Sequence, residues 1–167
     1  MTVVIADTSP LNYLVLIGQV EILRCLYNKV LVPPEVLVEL RDSSAPSPVL
    51  DWIHSQPEWL EVRAITRHPN EAALQHIGPG ERAAILLAQQ EADALLLIDD
   101  AAGRAEADRR RIRCTGTLGI LRIAALRRLL DLPSALTRLA QTNFRVSRSL
   151  IEELMAEDSE RKRHISE

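Results

Sequence analysis

Val3-Val4-Ile5-Ala6-Asp7-Thr8-Ser9-Pro10-Leu11 decides how this chain is read. Four small or β-branched apolar residues in a row predict a strand buried on both faces, as in a parallel sheet. The run stops at a single aspartate. Ser9 is a good N-cap and Pro10 suits a first helical position, so a helix is expected to start there. Leu11, Leu14, Val15 and Ile17 give that helix an apolar face, and Gly18 ends it. In open parallel sheets ligands bind beyond the C-terminal ends of the strands. With Ser9 expected to cap the helix, Asp7 is free for chemistry.

The same pattern recurs down the chain. Residues 94–98 form a second doubly buried strand, which runs straight into Asp99 and Asp100. Val30–Val32 is a short strand stopped by Pro33-Pro34, and Pro34 opens a helix through Leu40. Residues 20–27 and 48–55 read as short helices around a turn-rich loop at 42–48, and residues 59–62 as an edge strand. Residues 64–79 are the least regular part, with a helical turn around 71–76. After Gly78-Pro79-Gly80, residues 81–90 are strong helix formers. An arginine-rich helix over 101–111, a strand at 112–115 and an apolar helix capped by Thr117 follow. Closing helices are expected over 134–142 and 147–157, and 158–167 as a frayed charged tail. Alternating strands and helices predict a three-layer α/β/α sandwich around a parallel, doubly wound sheet, with residues 1–157 as one domain.

Composition narrows the function without naming it. A net charge of −3 gives no global attraction for nucleic acid, so any such case rests on a local patch. Cys25 and Cys114 make no CxxC pair, and His54, His68, His76 and His164 lack zinc-ligand spacing, which fits reduced thiols in a cytoplasmic protein. The first apolar run is too short for a signal segment and has no basic lead-in. No stretch approaches the ~20 apolar residues of a membrane span, so no membrane partner is expected.

The acids are the chemistry. If the strands ending at Asp7 and Asp99 are neighbours, their carboxylates meet at one sheet edge. Glu81 stands in a first helical turn and Glu39 in a last one, with Glu35 one turn earlier as a competing choice. Of Asp99 and Asp100, one is expected to act and the other to start the next helix. Crowded carboxylates repel unless a cation joins them, and oxygen-only donors suit a hard ion such as Mg²⁺ or Mn²⁺.

Asp7-Thr8-Ser9-Pro10-Leu11, residues 36–40 after Pro33-Pro34, Gly80-Glu81-Arg82-Ala83-Ala84 and the strand end at Asp99 together resemble a PIN domain over residues 2–130. The likeness is closest to the branch that begins V-x-D-T-S-P-L and carries G-T-L-G, here Gly116-Thr117-Leu118-Gly119. The resemblance implies a metal-dependent ribonuclease with catalytic Asp7, Glu39, Glu81 and Asp99. Its metal ligands would be Asp7, Glu81 and Asp99, with Asp100 standing in for a downstream aspartate that has no match. It also implies a VapC-type toxin with an RNA substrate, an antitoxin partner and a homodimer. One or two carboxylate-held Mg²⁺ or Mn²⁺ ions suit in-line phosphodiester cleavage without a histidine base.

Arg104, Arg109, Arg110 and Arg111, with Arg113, form the densest basic stretch and are read as an RNA-binding rim beside the acids. Thr8, Ser9 and Thr117 are read as supporting hydroxyls. The aromatics are scattered, so base-selective reading is not expected. A receiver domain would need an acidic pair near the first strand and a lysine at the last strand end. A haloacid-dehalogenase phosphatase would need D-x-D-x-T, and a nucleotide-binding fold a glycine-rich phosphate loop; this chain has none of these. The rival that stands is a non-catalytic PIN-like module that binds protein or RNA.

Overall fold

Each short apolar run becomes a strand: β1 (Val3–Ala6), β2 (Val30–Val32), β3 (Leu60–Val62), β4 (Ala94–Leu97) and β5 (Arg113–Thr115). The computed structural model describes residues 1–67 and 71–166, so His68 lies outside the described residues. Among those residues the five strands form one sheet in the order β3-β2-β1-β4-β5, with every neighbouring pair parallel. Strand order reverses between β1 and β4, and such a switch point is where an open α/β sheet leaves a crevice. Val3 pairs with Ala94 and Ala6 with Leu97, so both strands end level. The Asp7 N–H donates to the Leu97 carbonyl at 2.9 Å, which fixes Asp7 at that crevice.

Period-2 alternation splits the sheet into two apolar faces. Val4, Ala6, Val30, Val32 and Leu97 pack against α1 (Thr8–Leu16), α2 (Ile22–Tyr27), α3 (Pro34–Leu40), α4 (Ser47–His54), α7 (Thr117–Leu126), α8 (Leu132–Ala140) and α9 (Arg148–Ile165). Ile5, Leu31, Leu96 and Ile98 face α5 (Pro79–Gln90), α6 (Ala101–Arg109) and a 3-10 turn at Glu71–Leu74. The result is a three-layer α/β/α sandwich. Among the described residues no helix is long and apolar enough to cross a membrane.

Three local expectations are corrected. α1 begins at Thr8, with Asp7 in the extended cap position, so Ser9 lies in the first turn and does not cap the helix. α7 is preceded by Gly116 as its cap residue, and Thr117 is its first helical residue. Residues 158–165 are helical: α9 continues to Ile165, with Asp158, 4 % exposed, bonded to both Arg161 and Lys162 within the helix.

Candidate active site

The crevice at the β1/β4 switch point collects side chains from five elements. Asp7 follows β1 and is only 2 % exposed. Although Asp7 holds the cap position of α1, its side chain caps nothing, and its Oδ1 has no hydrogen-bond partner among the described residues. A buried, unpaired carboxylate oxygen is costly and calls for a functional account. Burial pushes the Asp7 carboxyl up to about 8; the Thr8 backbone N–H offsets part of this, and the charges of Glu81, Glu39 and Asp99 add to it.

Glu39 reaches the crevice from the last turn of α3. Thr8 Oγ1 donates to its Oε2, and the Gly80 N–H donates to its Oε1 at 2.9 Å. That approach requires a glycine: a Cβ at residue 80 would stand 2.6 Å from Glu39 Oε1 and 2.7 Å from its Cδ. Glu35, one turn earlier, is exposed, which settles the choice between them in favour of Glu39 as the residue facing the crevice. Glu81, in the first turn of α5, is half-buried. Burial raises its pKa, and so do the charges of Asp100 and Glu39.

Asp99 follows β4 by one residue. Ser9 Oγ donates to its Oδ2 at 2.9 Å, the Thr117 N–H to its Oδ1 at 2.7 Å, and Thr117 Oγ1 to its Oδ2 at 2.7 Å. The three supporting hydroxyls therefore hold carboxylates: Thr8 holds Glu39, while Ser9 and Thr117 hold Asp99. Asp100 caps α6 by accepting from the Gly103 N–H at 2.9 Å, yet its charge is felt by Glu81. It starts the helix and borders the crevice at once.

A cavity of about 220 Å³ opens over this centre, lined by Asp7, Thr8, Glu39 and Glu81 together with Asn12 and Tyr13. Asn12 and Tyr13 escaped the sequence reading, though each stands four residues after Thr8 or Ser9 and so on the same helical face. Tyr13 meets Phe144 edge to face, with centroids 4.9 Å apart, and donates to Asn143 Oδ1 at 2.8 Å.

The expected arginine rim is not there. α6 runs back along the sheet, and its nine residues carry the chain roughly 13 Å away from Asp99. Arg109 and Arg110 pair with buried Glu106, and Arg110 and Arg111 line a separate cavity with Asp93 near the start of β4. Arg104 alone stays at the crevice. Its Nη1 lies 3.2 Å from where a Cβ on Gly116 would stand, and Asp99 Oδ1 lies 2.7 Å from the same point.

In donor chemistry the residues fit a hard divalent cation: oxygen donors only, burial and then mutual repulsion that raise two of their pKa values, and one buried oxygen without a partner among the described residues. In geometry they are near one another without forming a closed cage, since no group of three His, Cys, Asp or Glu among the described residues stands ready to hold a metal. Charge coupling reaches further than a ligand bond, so the two observations agree.

The sequence model of a family described as PIN domain matches residues 3–160. No curated protein and no solved structure matches the chain.

Proposed function

The chain belongs to the PIN-domain family, and on that premise we propose that it is a metal-dependent endoribonuclease. Nuclease chemistry is the common activity of PIN domains, and the reading of this chain rests on its own acids. The observation that carries it is the meeting of Asp7, Glu39, Glu81 and Asp99 at one switch-point crevice, with Asp7 Oδ1 buried and unpartnered among the described residues.

On this reading Asp7, Glu81 and Asp99 hold Mg²⁺ or Mn²⁺, with Asp100 beside them. When bound, such a cation supplies Lewis-acid stabilisation of the phosphate charge and activation of water. The chain supplies the rest. Thr8 and the Gly80 N–H fix Glu39 on the opposite wall from Asp99, which Ser9 and Thr117 fix in turn. A carboxylate already oriented by two donors costs no reorganisation when substrate arrives. Arg104 places a cation next to an otherwise anionic centre that would repel RNA.

The finer role follows the likeness of Asp7–Leu11 and Gly116–Gly119 to the toxin branch. We assign the chain, as a single cytoplasmic domain, to the toxin of a toxin–antitoxin pair, with an antitoxin partner and a homodimeric state. The competing non-catalytic module differs in one measurable respect. Purified protein should cleave single-stranded RNA with Mg²⁺ or Mn²⁺, lose cleavage in EDTA, regain it on metal addition, and lose it in Asp7→Asn. Undiminished cleavage in EDTA, or by Asp7→Asn, rules out the metal mechanism. No cleavage by wild type under any metal leaves the binding module.

A further inference from the structure

A second cavity, about 470 Å³, adjoins the acid centre on the far side of Asp99. This lies within the roughly 300–1,000 Å³ typical of small-ligand sites. It is lined by Asp99, Gly116, Arg104 and Leu118 together with Phe144, Arg145 and Leu150. Tyr13 lines the first cavity and Phe144 the second, so their edge-to-face pair is the partition between the two.

Two features give this cleft an occupant. Arg104 and Arg145 are both exposed, and neither side chain has an ion-pair or hydrogen-bond partner among the described residues. Arg109, Arg110 and Arg113, by contrast, are each paired with a carboxylate. Most of the remaining lining is apolar, including exposed Leu150 and half-buried Phe144, with Thr115 and Ser147 as its hydroxyl residues. Unpaired cations beside an apolar and aromatic wall are what a single nucleic-acid strand uses: guanidiniums for phosphate, a flat face for the base.

We propose, resting on the ribonuclease reading above, that this cleft receives the nucleotide next to the cleaved phosphate. Arg104 and Arg145 hold its phosphate, and Leu118, Phe144 and Leu150 shelter its base. The charge argument selects RNA over a protein segment. The acid centre repels a phosphodiester, and the cleft places two unneutralised cations at the edge of that centre, where the strand must pass. An apolar wall has no donor and acceptor code, so the cleft should accept any base.

The test is an anisotropy titration with labelled single-stranded RNA about eight nucleotides long, within the span one single-strand site covers. The protein is Asp7→Asn with Mg²⁺ present, compared with the same protein carrying Arg104→Ala and Arg145→Ala. Arg111→Ala with Arg113→Ala, at the opposite end of the strands, is the control. The cleft pair should weaken binding by at least about 10-fold and flatten the log–log salt slope by about 0.7, the value for one neutralised single-strand phosphate, while the control shifts affinity less than about 2-fold. All four arginines are exposed, so melting temperatures should stay level. Unchanged affinity and slope in the cleft pair, an equal loss in the control, or no measurable binding overturns the proposal. Wild-type cleavage of the same RNA separates the two readings. Cleavage with cleft-independent binding removes the inference and leaves the cleft for a protein partner. Cleft-dependent binding without cleavage supports the cleft as a single-strand site and removes the ribonuclease.

Discussion

Asp7 sets burial against charge more sharply than any other carboxylate of the crevice. Its pKa stands at about 8 against an ordinary 3.8, so the metal-free folded protein holds a proton there that the unfolded chain releases. Between those two values folding takes up a proton, and stability falls as pH rises. The contribution is fully present below about 3.8 and gone above about 8. At about 1.4 kcal/mol per unit the window spans as much as about 6 kcal/mol. Asp7→Asn keeps the shape and removes the titration. In EDTA it should be more stable than wild type at pH 8.5 and close to it at pH 4, read by urea denaturation at both. Equal stability at the higher pH would show that the Asp7 charge is already compensated. Glu39→Gln should lose cleavage in the same series, and exposed Glu35→Gln should not.

At the scale of elements, one backbone approach joins α3 to α5. The Gly80 N–H sits against Glu39, and no side chain fits between them. Gly80→Ala improves helix propensity by about 1 kcal/mol. It also removes a charge-assisted hydrogen bond of about 1.5–3 kcal/mol. Some of that is recovered because Glu39 can swing toward water. The net change in stability should stay within about 1–2 kcal/mol, while cleavage falls as far as in Glu39→Gln. A wild-type rate in Gly80→Ala would mean that Glu39 needs no fixed position. Much of this scale was legible in the residues. Doubly buried strands such as Val3–Ala6 and Ala94–Leu97 announce themselves as unbroken apolar runs, and the acids after them follow from strand direction. The start of α1 was not, because Ser9 has the chemistry of a cap but spends its hydroxyl on Asp99, 90 residues away. The arginine rim failed for a related reason. Arg104 and Arg111 are close in sequence, yet two helical turns of α6 carry them to opposite ends of the strands. Phe144 and Arg145 gave no signal at all, since a connection between two helices carries no periodicity that says what it faces.

At the scale of the whole molecule, the second cavity depends on a helix whose first half was legible in the sequence and whose charge-rich second half reads as a tail. α9 supplies Leu150 and Leu154 to the cleft, and Leu154 also belongs to the core against α7 and α8. What holds the far half of α9 is electrostatic. Burial opposes ionisation of Asp158, but Lys162 and Arg161 outweigh it and hold the carboxyl below its usual range. Lys162 also reaches Asp131, the cap of α8, at 3.3 Å, while Glu157 takes three bonds from Arg122 of α7. Exposed pairs alone would contribute only about 0–1 kcal/mol each. Asp158 is buried, and charged hydrogen bonds of that kind are worth about 1.5–3 kcal/mol. A chain ending at Glu157 should therefore melt several degrees lower, at about 2–4 °C per kcal/mol for this size. It should also bind single-stranded RNA more weakly, though every residue lining the cleft is still present. Both effects should be reproduced in direction by Asp158→Ala in the full chain. A truncated chain that melts and binds like the full one would mean that residues 158–167 fray after all, and that the cleft wall stands on Leu154 and its apolar neighbours alone.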